Sequence, residues 1–254
     1  MAHMLNSKNT SNKSDNPSKI VVFGGSGIIG GAIAKEFGQQ GWAVGVHYHH
    51  HRSSAEDTVA IIKKYDGNAR LYQADVEDPS QIEKLFQSFL QDYGSLNLLV
   101  WAVGVGTSKL LTKTTAEEWV QSLQTNLTGA FHVLREAGPI FEQQREGAVI
   151  VIGSLSGEQG MTGQTAYAAS KAGLIGLMRT TAQEWASWNI RVNAIFPGWH
   201  SSPLSASGMN SALAHHFHIL NRTPTLTLMA SSVYHLALIQ DVSGQVWNLD
   251  SRIW

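Results

Sequence analysis

The sequence predicts an α/β protein built on one doubly wound, seven-stranded parallel sheet with helices on both faces. From residue 19 onward, short β-branched runs alternate with longer amphipathic segments, which is typical of consecutive β-α-β units. A chain of 254 residues can bury one large core, so a single domain is sufficient. The expected strands are Ile20–Phe23, Ala43–Tyr48, Ala69–Gln73, Leu96–Ala102, Ala148–Gly153, Ile190–Phe196 and Gln245–Leu249.

Start signals place the helices between these strands. Asp78 before Pro79 is typical of a capped first turn, and Thr115 with Glu118 has the spacing of a capping box. The apolar residues that follow recur on one helical face, which we expect to pack on the sheet. These faces comprise Ile82, Leu85, Phe86, Phe89 and Leu90 in one helix, and Trp119, Leu123, Leu127, Ala130 and Leu134 in another. The helices that carry the motifs below are expected at Ile29–Gln40, Thr115–Glu136 and Thr165–Ser187.

Two segments fall outside this pattern. Residues 1–18 are rich in Ser, Asn and Lys, so we expect a disordered N-terminal segment, with a tag remnant at Met1 to Met4, ahead of a domain that spans 19–254. Between Pro197 and Thr227 no apolar period holds. We expect this segment to be a mobile substrate loop with a short helix.

Composition excludes several classes of function. The formal net charge of -1 and the lack of a Lys/Arg cluster give no electrostatic footprint for nucleic acid. The absence of cysteine excludes disulfides, thiolate metal sites and a cysteine nucleophile. No apolar run is long enough to span a membrane, and no signal peptide is visible. We therefore expect a soluble, cytoplasmic protein without a nucleic-acid or membrane partner.

A glycine-rich turn follows the first strand. Gly25, Gly27 and Gly30 match the pattern G-x-G-x-x-G and open the helix Ile29–Gln40. Glycines at such a turn let the backbone approach a pyrophosphate, and the helix N-terminus attracts that anion. The alternative is a merely flexible turn. The position between a first strand and a first helix favours dinucleotide binding.

The end of the second strand bears on the choice of dinucleotide. Histidines occupy positions 47 and 49–51, Arg52 follows them, and no acid occurs until Glu56. A carboxylate there would accept the ribose 2′-hydroxyl of NAD and repel a 2′-phosphate, whereas His and Arg donate to a phosphate. The residues favour NADP, with NAD not excluded, and we expect His49, His50 and Arg52 to contact it. A metal site is disfavoured because neighbouring strand residues point to opposite faces and no acid is near.

The stretch from Ser154 to Lys171 has the composition of a site for carbonyl chemistry. Tyr167 and Lys171 lie four residues apart in a segment of good helix formers, so both side chains project from one helical face. An ammonium beside a phenol favours the phenolate, and we therefore expect Lys171 to lower the pKa of Tyr167 below its ordinary value of about 10. Such a tyrosine would exchange a proton near neutral pH.

Taken together, these residues resemble the pattern of a known family. Six features occur in the expected order: Gly24–Gly30, Asp75, Asn126, Ser154, Tyr167-Ala-Ala-Ser-Lys171 and Pro197-Gly198. The chain in this respect resembles the classical short-chain dehydrogenases/reductases, with a Rossmann-type domain, over nearly all of residues 19–250. Within that family, residues 163–198 look most like the 3-oxoacyl-[acyl-carrier-protein] reductases.

The resemblance implies a role for each matching residue. Tyr167 would protonate the carbonyl oxygen, Ser154 would hydrogen-bond it, and Lys171 would bind the nicotinamide ribose. Asn126 would hold a water that links Lys171 to solvent, and Asp75 would contact the adenine. With the glycine turn and the second strand included, the expected cofactor contacts are Gly24, Ser26, Gly27, Ile29, Gly30, His49, His50, Arg52, Asp75, Val76, Ala102, Gly104, Tyr167, Lys171, Pro197 and Gly198.

Three positions depart from the family pattern. The spacing Gly24-x-x-Gly27-x-x-Gly30 is closer to the extended branch, which contains epimerases and dehydratases. The usual Asn-Asn-Ala-Gly is replaced by Trp101-Ala102-Val103-Gly104, and the usual glycine-rich end of the chain by the segment 250–254.

The expected function is an NADP-dependent oxidoreductase that transfers a hydride between its cofactor and a ketone or alcohol, including 3-oxoacyl thioesters. The alternatives are a non-catalytic dinucleotide-binding sensor and an extended-type epimerase or dehydratase. The resemblance also implies a homo-oligomer, a dimer or a homotetramer, formed through the helices Thr115–Glu136 and Thr165–Ser187. Trp185 and Trp188 suit either that interface or the core of the subunit.

Overall fold

The computed structural model describes residues 17–201 and 218–252. Most of the expected N-terminal segment, residues 1–16, lies outside the described residues, as do residues 202–217 of the expected substrate loop. The backbone of Ser18 already joins the sheet, because its carbonyl oxygen accepts a hydrogen bond of 2.9 Å from the N–H of Ala43.

Seven parallel strands form one sheet in the order β3-β2-β1-β4-β5-β6-β7, which confirms the predicted architecture. The order reverses between β1 and β4, so the sheet is doubly wound, and such reversals open a ligand crevice at the carboxyl ends of the strands. The strands are β1 Lys19–Phe23, β2 Ala43–Tyr48, β3 Ala69–Gln73, β4 Leu98–Trp101, β5 Gly147–Ile152, β6 Ile190–Phe196 and β7 Val246–Asn248.

The helices follow the strands as the periodicity predicts. The α-helices are α1 Ile28–Gln39, α2 Arg52–Lys64, α3 Pro79–Tyr93, α4 Ala116–Leu123, α5 Gly129–Gln144, α6 Leu155–Gln159, α7 Thr165–Glu184 and, after the undescribed residues, α8 Leu226–Leu238. Short 3-10 turns occupy Leu111–Lys113 and Ala186–Trp188. Both predicted starts are confirmed, since Asp78 accepts from the N–H of Ser80 and Thr115 with Glu118 forms a reciprocal capping box.

Each face of the sheet carries its own apolar core. On one face α3, α5 and α7 bury residues such as Phe89, Phe141 and Met178. On the other face α1, α2 and α8 bury residues such as Phe37, Ile62 and Val233. The predicted apolar face of α3 packs as expected, with Leu90 only partly buried.

The helix predicted at Thr115–Glu136 is not continuous. A single π turn, Gln124–Thr128, separates α4 from α5. The extra residue of a π turn rotates the following helix by about 100° relative to the preceding one. As a result Ala130 and Leu134 are buried against the sheet, while the side chain of Trp119 is 38 % exposed and the predicted common face was wrong for it.

Trp185 and Trp188 belong to the subunit's own core. The ring of Trp185 is buried and packs 5.8 Å from the ring of Phe141, and Trp188 stacks on Trp185 at 5.7 Å. Trp185 is thus a core residue, and Trp188 packs against this core while partly exposed.

Candidate active site

The site lies at the carboxyl edge of the sheet, where loops from five strands meet. A cavity of about 700 Å³ is lined by the glycine turn after β1, the start of α2, the loop after β4, the end of β5 with α7, and the loop after β6. This volume falls in the range of cofactor and small-molecule sites.

The glycine turn brings three backbone segments too close for any side chain. Gly24 has a φ of +79°, and a Cβ there would lie 2.8 Å from the carbonyl carbon and oxygen of Ala102. A Cβ on Gly30 would lie 2.3 Å from the Gly24 carbonyl oxygen. The N–H of Gly27 donates to the same oxygen at 2.9 Å. The turn therefore depends on glycine at positions 24 and 30.

The N-terminus of α1 is open for an anion. Gly27 precedes the helix, no side chain caps it, and the first turn holds no acidic residue. Unsatisfied N–H groups at such an end, together with the helix dipole, favour a phosphate group. The residues present thus fit the pyrophosphate of a dinucleotide.

His47 joins this turn to the sheet. Its Nδ1 accepts from the N–H of Gly24 at 3.1 Å, and its Nε2 lies 3.0 Å from the carbonyl oxygen of Ala74. The imidazole is therefore neutral, with its proton on Nε2. Burial lowers the pKa of His47 to about 4. His47, within β2, therefore supports the glycine turn from below.

Tyr167 and Lys171 share one face of α7, as their spacing predicts. The Lys171 Nζ lies 5.8 Å from the centre of the Tyr167 ring. Burial raises the pKa of Tyr167, and its hydrogen bond with Ser154 lowers it by a smaller amount. The expectation that this pKa lies below its ordinary value was wrong, because loss of solvent around the phenol outweighs its hydrogen bond with Ser154. Tyr167 stays protonated at neutral pH.

Lys171 is fixed by backbone oxygens. Its Nζ donates to the carbonyl oxygens of Ile152 at 3.0 Å and Val103 at 3.3 Å, at the ends of β5 and β4. Burial lowers the pKa of Lys171 to about 8, so the side chain is still mostly an ammonium at pH 7. The carbonyls replace the water that this ammonium lacks.

Ser154 faces Tyr167 from the end of β5. Its backbone is extended and its side chain caps the short helix α6, accepting from the N–H of Ser156 at 3.2 Å. The cap holds the hydroxyl in place beside the phenol.

Asn126 lies in the π turn and is buried. Its Oδ1 accepts from the N–H of Val105 at 2.7 Å, while its Nδ2 donates to the Val105 carbonyl oxygen at 2.8 Å and to the Ser170 hydroxyl at 2.9 Å. The amide thus fixes the loop after β4 to α7. Its Nδ2 also donates to the Ser122 hydroxyl at 3.4 Å, and among the described residues Asn126 has no direct hydrogen bond with Lys171.

The structure brings most of the predicted site residues to the cavity. Those that line it are Ser26, Gly27, Ile29, Gly30, Ala102, Gly104, Ser154, Tyr167, Lys171, Pro197 and Gly198. The predicted residues outside its lining are Gly24, His49, His50, Arg52, Asp75, Val76 and Asn126.

The polar residues outside the lining have protein partners. His49 stacks on His50, with ring centres 3.6 Å apart, and its Nε2 lies 3.8 Å from Asp75 Oδ2. Arg52 bonds to Glu56 at 2.8 Å on the surface.

Several residues that the sequence did not single out also line the cavity. His51 and Ser54 do so at the start of α2, Trp199 and His200 after β6, and Arg252 beyond β7. Strand alternation could not have separated His51 from its neighbours, because β2 ends at Tyr48 and His51 immediately precedes α2. No pattern in the sequence around Arg252 identifies it as a cavity residue. Trp101, the last residue of β4, packs in the core beside Phe23, so the segment that departs from the family pattern lines the cavity with Ala102, Val103 and Gly104.

Two kinds of site are absent from residues 17–201 and 218–252. No three His, Asp or Glu side chains come together there as metal ligands would. No helix in that part of the chain has the length and apolar character needed to cross a membrane.

Comparisons with known proteins agree with this geometry. Residues 18–211 match the family described as short chain dehydrogenase. The 3-oxoacyl-[acyl-carrier-protein] reductase of Staphylococcus aureus (strain Mu50) is 36 % identical over 185 residues, 73 % of this chain and 75 % of that protein. Its namesake from Thermotoga maritima is 34 % identical over 188 residues, 73 % of this chain and 75 % of that protein.

Solved structures show the same fold. A dehydrogenase/reductase from Sinorhizobium meliloti 1021 is 28 % identical, with a TM-score of 0.87 over 94 % of this chain and 96 % of that one. An NAD+-bound xylitol dehydrogenase, 24 % identical, has a TM-score of 0.87 over 93 % of this chain and 98 % of that one. With the glycine turn, the Ser154–Tyr167–Lys171 set and these matches in hand, the chain belongs to the short-chain dehydrogenase/reductase family, enzymes that interconvert CH–OH and C=O groups with a nicotinamide cofactor.

Proposed function

We propose that this protein is an NADP-dependent oxidoreductase that reduces a ketone, with 3-oxoacyl thioesters as the first candidate substrates. The observation that carries the proposal is the single cavity that joins Ser154, Tyr167 and Lys171 to the open N-terminus of α1. A proton donor and a phosphate-binding turn thus belong to one site. The relatives' name, 3-oxoacyl-[acyl-carrier-protein] reductase, supports a thioester as the substrate.

The chain's own residues would supply the proton and orient the carbonyl. A bound nicotinamide supplies the hydride in this chemistry. Tyr167, protonated at neutral pH, gives its proton to the carbonyl oxygen as the C=O bond becomes a C–OH group. Ser154 hydrogen-bonds that oxygen, and the ammonium of Lys171 stabilises the phenolate left on Tyr167.

The choice of NADP is supported by the charge of the cavity wall. No Asp or Glu lines the cavity among the described residues. His51 and Ser54 line it at the start of α2, where no side chain caps the helix and the first turn holds no acid. A 2′-phosphate placed there would meet an imidazole, a hydroxyl and free backbone N–H groups.

A substitution tests this choice. His51→Asp should repel the 2′-phosphate and lower the ratio of kcat/KM for NADPH over NADH by at least about tenfold. His50→Asp is the matched control, because it makes the same change one residue earlier, outside the cavity lining. If His51→Asp and the parent protein have equal ratios, His51 does not determine the preference for NADP.

A substrate screen tests the reaction itself. Oxidation of NADPH and NADH is followed with 3-oxoacyl thioesters of N-acetylcysteamine and with simple ketones. Turnover of a thioester is the expected result. If NADPH binds but no carbonyl compound is reduced, the protein is a non-catalytic dinucleotide sensor instead. An epimerase or dehydratase would turn over its substrate without net oxidation of NADPH.

A homo-oligomer is part of the same proposal. Val120 on α4 and Phe131 on α5 are 59 % and 47 % exposed, and Trp119 is exposed beside Val120. Large apolar groups on helices that the family uses for assembly support a dimer or tetramer.

A further inference from the structure

Arg252 occupies the cavity wall from a part of the chain that the family match does not include. That match ends at residue 211, whereas Arg252 follows β7 near the end of the described chain. It lines the cavity together with Gly198, Trp199 and His200. The C-terminal backbone is tied to this edge of the sheet, since the N–H of Leu249 donates to the Phe196 carbonyl oxygen at 3.0 Å.

The Arg252 side chain is held by Asp250. Its Nε donates to Asp250 Oδ2 at 2.6 Å, its Nη2 contacts the same oxygen, and its backbone N–H donates to Oδ1 at 2.9 Å. The Asp250 side chain is fully buried, and that of Arg252 is 13 % exposed. The guanidinium is therefore rigid before any ligand arrives.

One edge of this guanidinium, formed by Nη1 and the outer side of Nη2, has no hydrogen-bond partner among the described residues. The contacts with Asp250 use Nε and one side of Nη2, and no hydrogen bond from Nη1 is found within the described residues. Arginine has five N–H donors in a planar fork, so Nη1 and the outer side of Nη2 remain able to bind two oxygens side by side.

Lys171, the other positively charged residue among those described that line the cavity, already has hydrogen-bond partners. Lys171 donates to Ile152 and Val103 and lies beside Tyr167, where the reaction takes place. Asp250 is covered by Arg252 and does not line the cavity. The wall near Gly198 thus offers a fixed cation without a competing exposed carboxylate.

From this arrangement we infer that the substrate carries a carboxylate, which Arg252 binds while Tyr167 and Ser154 hold the reacting carbonyl. The substrate class is an oxo acid, or in the reverse direction a hydroxy acid. The inference rests on the proposed reduction of a ketone and assigns it a substrate with a free carboxylate, in place of the thioesters that the relatives' name suggests. A planar carboxylate matches the free edge of the guanidinium in shape and charge.

Matched pairs of substrates separate this role from that of a counter-ion for Asp250. Pyruvate, acetoacetate and levulinate place the carboxylate at increasing distance from the ketone, and the methyl ester of each is its neutral partner. The wild-type protein should show a higher kcat/KM for the acid than for its ester in at least one pair. If no acid is preferred while esters or thioesters are reduced, the inference fails and the proposed function stands.

Three variants assign the preference to Arg252. Arg252→Gln should lower kcat/KM for the preferred acid at least tenfold and change that for its ester less than threefold, and Arg252→Lys should restore part of the loss. Because Arg252→Gln strands a buried carboxylate, the double variant Asp250→Asn/Arg252→Gln removes both charges together and should show the same selective loss. Lys63→Gln, an exposed position on α2, controls for net charge. Equal losses for acid and ester would leave Arg252 as a counter-ion only and overturn the inference.

A binding measurement covers the case without turnover. Isothermal titration of each acid and its ester onto the protein with NADP+ should show tighter binding of the acid in at least one pair, and loss of that difference in the double variant. If none of the carbonyl compounds is reduced, the proposed function fails, and this difference in affinity alone decides whether the carboxylate site exists. Equal affinities would overturn it.

Discussion

At the scale of single residues, Tyr167 combines two properties of a general acid. Its phenol lies beside Ser154 in the cavity, and burial raises its pKa, so the proton is present at neutral pH. Lys171, four residues later, is held by carbonyl oxygens. Its pKa is about 8, so it is mostly charged at neutral pH. In the proposed reaction Tyr167 would give the proton and the charged Lys171 would stabilise the phenolate that remains.

Replacing the tyrosine should separate catalysis from binding. Tyr167→Phe is expected to lower kcat by at least about 100-fold, because the proton donor is lost while the ring is kept. The affinity for NADPH, measured by fluorescence titration, should change little. Tyr65→Phe, at an exposed position after α2, is the control. Undiminished turnover in Tyr167→Phe would contradict its role as the acid.

His47 makes a prediction about stability and pH. Its pKa is lowered from 6.5 to about 4, so the folded protein binds the proton less well than the unfolded chain. The stability that the neutral ring provides is complete above pH 6.5 and is lost as the pH falls from there towards 4, on the order of 3 kcal/mol in all.

Urea unfolding at a series of pH values measures this effect. His47→Asn keeps an acceptor near the N–H of Gly24 but does not titrate. The difference in free energy of unfolding between the wild type and this variant should shrink as the pH falls from 6.5 to 4. If the free energies of unfolding of the two proteins change in parallel between pH 6.5 and 4, the lowered pKa of His47 is contradicted.

At the scale of elements, the π turn between α4 and α5 positions the site. It carries Asn126, whose amide fixes the loop after β4, and it is followed at once by Gly129. A Cβ on Gly129 would lie 2.8 Å from Val76 Cγ2 and 3.2 Å from the Trp101 ring, both in the buried core. The packing of α5 against β4 therefore depends on this glycine.

Gly129→Ala should lower the free energy of unfolding by about 1–3 kcal/mol, because it overpacks the core. Gly176→Ala is the matched comparison on α7, where a Cβ would meet nothing within 4 Å. There the higher helix propensity of alanine should raise stability by about 0.5–1 kcal/mol. Thermal and urea unfolding of both variants measure this, and similar effects in the two would refute the packing argument.

At the scale of the whole molecule, the exposed apolar side chains of α4 and α5 predict self-association. Phe131→Lys combined with Val120→Lys should shift the protein to a monomer in sedimentation velocity experiments, because charge on both sides of a symmetric interface opposes its burial. Ile61→Lys, an exposed apolar position on α2, should leave the oligomer intact. An unchanged sedimentation coefficient in the double variant would place the interface elsewhere.

Sequence alone was sufficient for the sheet, the helices around it, the glycine turn and the spacing of Tyr167 and Lys171. These features follow from local rules: the alternation of apolar segments, the lack of a Cβ at a tight turn, and the rise of a helix over four residues. These rules are enough to place Tyr167, Lys171 and the glycine turn at the carboxyl edge of the sheet.

Only the tertiary structure decided which side chains reach the cavity and in what charge state. His51 and Ser54 line it, while His49 turns to Asp75 and His47 is buried under Gly24. Burial reverses the expected direction of the Tyr167 pKa shift, and the π turn divides a helix that its sequence predicts as one. Arg252 reaches the wall through the pairing of β7 with β6. Such outcomes depend on neighbours distant in the chain and on the removal of water, which no local pattern of residues encodes.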